Sequence, residues 1–74
     1  MRGTVTLTLN GEQRRFDTPE SGPLSVHGLL VALELDARKV AVERNEEIVP
    51  RSTYRETLLG DGDMLEIVHF IGGG

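Results

Sequence analysis

Apolar and polar positions alternate in the first segment of the chain, Thr4–Leu9. This period of two predicts a β-strand whose apolar side chains face a core, namely Val5, Leu7 and Leu9. Asn10-Gly11 follows at once, and this dipeptide favours the positive φ angles of a two-residue hairpin turn. We therefore expect Glu12 to Phe16 to form the return strand, with Phe16 facing inward.

The spacing of the apolar residues changes to the helical period after Ser25. One apolar stripe recurs at i, i+3, i+4 and i+7, which predicts a helix packed against a sheet through Val26, Leu29, Leu30 and Leu33. Ser25 is suited to cap the first turn, and Leu24 is suited to pack onto Leu29. Gly28 lies inside this helix at a cost of about 1 kcal/mol relative to alanine. The sequence leaves open whether Gly28 permits close packing or only weakens the first turn.

The next apolar segments are short and are separated by turn residues. Val40–Arg44 predicts a third strand, which Asn45-Glu46-Glu47 turns back into Ile48-Val49. Pro50 ends that segment because proline cannot donate a hydrogen bond to a ladder. Arg51 to Glu56 predicts a turn or a single helical turn.

A last strand is expected over Met64 to Phe70, after a turn at Gly60-Asp61-Gly62-Asp63. Its alternation places one apolar pair, Leu65 and Ile67, on a common face, and Glu66 and Val68 on the other. Runs of strands with a single helix indicate an α+β fold, with the helix packed across one face of the sheet. We expect a single domain over residues 1–74.

Composition limits the chemistry that this chain can perform. Its 74 residues include no cysteine, which excludes disulfides, thiolate metal sites and catalysis by a thiol. The formal net charge is −4, so a nucleic-acid partner is not expected, and the acidic segments 43–47 and 56–66 favour a basic protein partner. No segment has the apolar length of a membrane span or a signal sequence. We therefore expect a cytoplasmic protein with no membrane partner.

The polar side chains do not form a recognisable catalytic or metal-binding motif. His27 and His69 have no serine or carboxylate at the spacing of a triad or of a metal site. Asp61 and Asp63 lack the further carboxylates of a calcium loop and indicate a tight turn. We expect structural roles for all of these side chains, and no metal site.

The last three positions are glycines, Gly72, Gly73 and Gly74. Because glycine loses the most conformational freedom on ordering, we expect residues 70–74 to form a flexible, exposed tail. When extended, the glycines project the Gly74 carboxylate by about 10 Å, with no side chain to obstruct its entry into another protein's active site. Gly74 is the predicted reactive residue, and Leu59, Phe70 and Ile71 are the candidate partner-binding residues. A frayed end or a cloning remnant is the alternative interpretation.

A series of short motifs resembles the ubiquitin-like sulfur carriers of thiamine biosynthesis, the ThiS family. The motifs are Asn10-Gly11-Glu12, the segments 40–45, 49–52 and 61–68, and the terminal glycines. The resemblance covers nearly the whole chain. It implies the β-grasp (ubiquitin-like) fold, a mixed sheet of four to five strands with one main helix on one face. It also implies a covalent cosubstrate of partner enzymes, which is not itself an enzyme.

The resemblance implies a cycle of activation and transfer at Gly74. An E1-like adenylyltransferase uses ATP to attach AMP to the Gly74 carboxylate. A sulfur donor, such as the persulfide of a cysteine desulfurase, displaces AMP and leaves a C-terminal thiocarboxylate. Thiazole synthase then takes the sulfur into the thiazole ring of thiamine. No cofactor bound to the carrier is implied, and we expect the isolated carrier to be a monomer.

Three alternative functions stay open at this point. The small subunit of molybdopterin synthase, or another sulfur carrier with the same thiocarboxylate chemistry, has the same fold and tail. A ubiquitin-like modifier would be joined through Gly74 to lysines of targets, and Lys39, the only lysine here, argues against lysine-linked chains. A plain binding module would keep its function after deletion of Gly73 and Gly74.

Overall fold

The computed structural model describes residues 3–70. Within that range the chain forms five strands, one α-helix and two short 3-10 turns. In chain order these are β1 (Thr4–Leu9), β2 (Glu12–Asp17), α1 (Val26–Ala32), a 3-10 turn (Ala37–Lys39), β3 (Val40–Arg44), β4 (Glu47–Ile48), a 3-10 turn (Arg51–Thr53) and β5 (Met64–His69).

The strands form one mixed sheet in the order β2-β1-β5-β3-β4. The two hairpins, β1–β2 and β3–β4, are antiparallel, and β3 also pairs antiparallel with β5. The β1–β5 pairing is parallel. The strand nearest the terminal glycines in sequence therefore lies at the centre of the sheet, between the two hairpins. This arrangement confirms the α+β class and the mixed sheet implied by the resemblance.

Both hairpin turns use positive φ angles at their two central residues. Asn10 and Gly11 have φ of 50° and 83°, as the Asn-Gly signal predicts for a type I′ turn. The second turn has φ of 51° at Asn45 and 72° at Glu46. Glu47 already belongs to β4, so this turn is one residue shorter than the sequence indicated.

The core lies between the sheet and α1. The side chains facing it are almost entirely apolar, and the fully buried ones are Leu7, Val26, Leu29, Leu30, Val40, Val42 and Leu65. Phe16 and Leu33 pack against this core but stay partly exposed. The predicted apolar faces of β1 and α1 are thus confirmed. In α1, the Ser25 hydroxyl accepts a hydrogen bond from the Gly28 amide at 3.0 Å, which confirms the predicted cap.

Close packing explains Gly28. A Cβ atom added at this position would lie 2.8 Å from Cδ1 of Leu24, which is shorter than real contacts of a Cβ atom. Leu24 is itself 5% exposed and belongs to the core. Of the two interpretations left open by the sequence, the structure supports the one in which glycine lets Leu24 pack over the first turn. No helix within residues 3–70 combines the length and apolarity needed to span a membrane.

Candidate functional site

The candidate site is the end of β5, which leads toward the glycines. Asn10 contacts this strand through its backbone and through its side chain. Its backbone N–H donates to the carbonyl of Leu65 at 2.8 Å. Its side-chain Oδ1 accepts from the Ile67 amide at 2.8 Å, and its Nδ2 donates to the Ile67 carbonyl at 3.3 Å. The hairpin turn therefore binds the tail end of β5 on the side of the sheet that β1 occupies.

The opposite edge of β5 is held by β3 and the residue before it. The Phe70 amide donates to the Lys39 carbonyl at 2.9 Å, one residue beyond the end of β5. Phe70 is the last residue that the structure describes, so backbone contacts fix the chain up to this point.

The side of the sheet opposite α1, which we call the open face, carries apolar side chains in solvent. Their exposed fractions are 55% for Met64, 57% for Val68 and 74% for Ile48. Phe70 is 50% exposed and follows the same alternation as Met64 and Val68. Exposed apolar side chains grouped in this way make the open face a candidate protein-binding surface.

Acidic side chains lie within the open face. Glu43 and Glu66 are direct partners in the β3–β5 register, and both are exposed. Like charges placed opposite each other in a sheet are destabilising. A cationic group bound at this position would relieve that repulsion.

Asp63 organises the start of β5. Its carboxylate accepts from the Gly60 amide at 2.9 Å, from Nε of Arg44 at 3.0 Å and from Nδ2 of Asn45 at 3.1 Å. Partial burial alone would raise the pKa of Asp63, but the hydrogen bonds outweigh it and the pKa lies below the ordinary value. Asp61 adds a bond to β1, since its Oδ1 accepts from the Thr6 amide at 2.8 Å. These contacts confirm the turn predicted at residues 60–63 and give its acids structural roles.

The structure separates the candidate partner-binding residues. Phe70 lies in solvent as a partner anchor requires, whereas Leu59 is 4% exposed and belongs to the core. Buried Leu59 does not present the exposed side chain that the partner-binding prediction needs: its amide donates to the Leu24 carbonyl at 2.8 Å, and both side chains lie in the core. Ile71, Gly72, Gly73 and Gly74 lie outside the described residues.

The histidines do not join a cluster. His27 lies in the first turn of α1 and is partly exposed, and His69 is exposed at the end of β5. Among residues 3–70, no group of three or more histidine, aspartate or glutamate side chains is placed to hold a metal ion.

Sequence reasoning missed the side-chain roles of the turn asparagines. Asn10 binds Ile67, and Asn45 binds the other end of the strand, where its Oδ1 accepts from the Met64 amide at 2.9 Å. One signal was available: both hairpin turns begin with asparagine. Glycine would adopt the same positive φ angle. Asparagine at both positions therefore indicates that the side-chain amide makes hydrogen bonds.

A sequence profile of the ThiS family matches residues 7–74. The chain belongs to the ThiS family. The sulfur carrier protein ThiS of Bacillus subtilis is 41% identical over 68 residues, which cover 92% of this chain and 98% of that protein. The resemblance to the ubiquitin-like sulfur carriers of thiamine biosynthesis is therefore confirmed.

A solved structure supports the same assignment. The crystal structure of the thiamine biosynthesis protein ThiS from Geobacter metallireducens superposes with a TM-score of 0.73 and 38% identity, covering 95% of this chain and all of that one. The mixed sheet and single helix of this ThiS-family chain thus have the β-grasp arrangement.

A much longer relative also contains a region like this chain. A thiazole synthase of Paramagnetospirillum magneticum is 56% identical over 70 residues, which cover 95% of this chain. The matched region is 20% of that protein, so the chain spans about a fifth of the length of this relative.

Proposed function

We propose that this ThiS-family protein carries sulfur as a thiocarboxylate on Gly74 and delivers it to thiazole synthase for the thiazole ring of thiamine. The observation that carries the proposal is the family match, which runs through Gly74. The three glycines thereby belong to the sequence of the family, which favours a reactive tail over an added remnant. The proposal requires a free α-carboxylate on Gly74.

The chemistry begins with activation, because a carboxylate is a poor electrophile. An oxygen of the Gly74 carboxylate attacks the α-phosphorus of ATP on an E1-like adenylyltransferase, and pyrophosphate leaves. A persulfide from a sulfur donor, such as a cysteine desulfurase, then attacks the acyl carbon and AMP leaves. A second thiol reduces the resulting acyl persulfide, which leaves the thiocarboxylate and a disulfide of the donor. Since the chain has no cysteine, both thiols belong to its partners.

The open face provides the docking surface in this proposal. Met64, Val68 and Phe70 supply apolar area next to the tail. The Glu43–Glu66 pair supplies negative charge at the same place. A partner surface with apolar groups around an arginine or lysine matches both features, and it removes the repulsion between the two glutamates.

The longer relative supports thiazole synthase as the acceptor. Within the Paramagnetospirillum protein, a region 56% identical to this chain shares one polypeptide with a thiazole synthase. A carrier and its acceptor that share a polypeptide meet at high effective concentration. We infer that this chain meets the same kind of partner through docking.

The remaining parts of the proposal follow from this role. The carrier is a cosubstrate, and its partners supply catalysis and bind ATP. It acts as a cytoplasmic monomer between encounters, because one tail must visit several active sites in turn.

Intact mass spectrometry tests the proposal. The carrier is incubated with a ThiS-specific adenylyltransferase, ATP and a persulfide donor, beside a control variant that lacks Gly74. We expect a gain equal to the replacement of one oxygen by sulfur in the native chain and none in the control. The product is then given to thiazole synthase, where loss of the added mass with formation of the thiazole is expected.

Two outcomes contradict the proposal. One is an unchanged mass with an adenylyltransferase that converts its own carrier in the same buffer. The other is an adduct between Gly74 and lysines of other proteins without thiocarboxylate, which would indicate a modifier.

A further inference from the structure

We propose that Asn10 is a positioning residue for the reactive tail, and that its side-chain amide holds the second edge of the strand end that leads to the tail. This inference rests on the proposed function. It concerns a hairpin turn that sequence reasoning assigned only to reversing the chain.

The first step is the geometry of the β1–β5 pairing. The parallel register ends with Leu9 opposite Leu65. At Asn10 the backbone turns away with a φ of 50° to enter β2. The side-chain amide of Asn10 then occupies the position that the backbone of the next strand residue would take. It is hydrogen-bonded to both the N–H and the C=O of Ile67. One side chain thus continues the ladder beyond the last paired residue of β1.

The second step is the position of Ile67 relative to Gly74. Phe70 is tied to Lys39 on the other edge of β5, so the chain is held at both edges before the glycines. Without the Asn10 contacts, the end of β5 is paired along one edge only, with β3 and Lys39. A strand end paired along one edge frays more often, and each residue that frays adds at most about 3.6 Å to the reach of the free segment.

The third step connects reach to function. Val68 and Phe70 belong to the docking surface, and both follow the Asn10–Ile67 contact within three residues. A carrier docked through these side chains presents Gly74 at a set distance from its partner. If the segment between Ile67 and Phe70 loosens, docking no longer fixes the carboxylate near the reacting phosphate, and the rate of the bound complex falls.

The chain offers a closely matched control in Asn45. It has a φ of 51° at the same position of the other hairpin turn, and its amide binds Met64 at the opposite end of the same strand. Asn10→Gly and Asn45→Gly each remove a side-chain amide that is hydrogen-bonded to β5, and glycine accommodates the positive φ angle at both positions. They share the flexibility that glycine adds, and they differ in which end of β5 is released.

Hydrogen exchange on the free carrier is the first measurement, and it does not depend on sulfur chemistry. We expect Asn10→Gly to raise the exchange rates of the Ile67 and Phe70 amides by about tenfold relative to Asn45→Gly, as loss of two hydrogen bonds predicts. Asn10→Asp keeps the acceptor and loses the donor, so an intermediate rate is expected. Equal rates at Ile67 and Phe70 in the two glycine variants would overturn the proposal.

The second measurement is adenylation kinetics with saturating carrier. We expect kcat to fall about tenfold for Asn10→Gly and to stay within twofold of native for Asn45→Gly. A native kcat for Asn10→Gly, with its exchange raised, would overturn the positioning role. If the native chain is not adenylated at all, the proposed function fails, and the exchange rates still decide whether Asn10 anchors the end of β5.

Discussion

At the scale of single residues, the turn asparagines separate what the sequence predicts, the turn itself, from what it does not, the partner of the side chain. Asn-Gly predicted the first turn from backbone preference alone, and the turn is present. The partner of the Asn10 amide was not predictable in the same way, because Ile67 is 57 positions away. Local preferences determine the shape of a turn, whereas the target of its side chain depends on which strand lies beside it.

Gly28 permits a direct test of close packing against helix propensity. Alanine gains about 1 kcal/mol of helix propensity, but its Cβ would lie 2.8 Å from Cδ1 of Leu24. Crowding in a packed core costs about 1–3 kcal/mol. We therefore expect Gly28→Ala to lower the free energy of unfolding by about 1 kcal/mol in urea denaturation.

As a control, Gly28→Ala is also measured in a chain that carries Leu24→Val, because valine lacks the Cδ atoms of leucine. In that background Gly28→Ala should become stabilising, since the atom that it meets is gone. If Gly28→Ala stabilises the native chain and the Leu24→Val chain equally, the glycine only weakens the helix.

Asp63 gives the fold a specific pH dependence. Because its pKa is lower in the folded chain than its ordinary value, its contribution to stability is present above pH about 4 and is lost as the pH falls below that value. We expect Asp63→Asn to lower the free energy of unfolding by about 1–2 kcal/mol at pH 7. The difference should shrink at pH 3, because the carboxyl group of Asp63 is then mostly protonated in the unfolded chain, and this proton uptake favours unfolding.

Urea denaturation of both proteins at pH 7, 5 and 3 measures this difference. Hydrogen bonds from Arg38 lower the pKa of partly exposed Asp36 to about 2, and this contribution cancels because both proteins contain it. A difference that stays constant from pH 7 to pH 3 would contradict the assigned role of Asp63.

At the scale of elements, the period of apolar residues identified β1, α1, β3 and β5 and the side of each that faces the core. The period gives no prediction for Leu59, which lies between two turns and belongs to no periodic segment. The position of Leu59 depends on the segment just before α1, where Ser25 forms an isolated antiparallel bridge with Leu58. Such a contact between separate loops leaves no periodic trace in the sequence.

The open face of β5 yields a comparison between two valines of similar exposure. Val68 on β5 is 57% exposed, and Val31 on α1 is 61% exposed. We expect Val68→Ser to lower kcat/KM for adenylation by about 3- to 10-fold, because about 1 kcal/mol of apolar contact with the partner is lost. Val31→Ser should stay within twofold of the native value.

Circular dichroism and urea denaturation verify that both variants are folded before the kinetics are compared. Similar losses for the two valines would show that docking does not use the open face. A larger loss for Val31→Ser would place docking on α1.

At the scale of the whole molecule, the sequence predicted the elements but not how the hairpins join. Period and turn signals are local, and the parallel pairing of β1 with β5 joins the two ends of the described chain. The family resemblance implied a mixed sheet, which the structure confirms, but the pairing of β1 with β5 is known from the structure alone. The tail is the opposite case: its proposed chemistry is drawn from the glycines of the sequence, and residues 71–74 lie outside the part of the chain that the structure describes.

The central position of β5 also has a consequence for synthesis. β5 is synthesised after the other four described strands. Until then the two hairpins lack the strand that pairs with both of them. The sheet can close only when Met64–His69 has left the exit tunnel, and pairing between such distant segments is slow to form. A chain that stops early lacks both the closing strand and the glycines. Unfinished copies therefore cannot complete the sheet and are open to proteolysis.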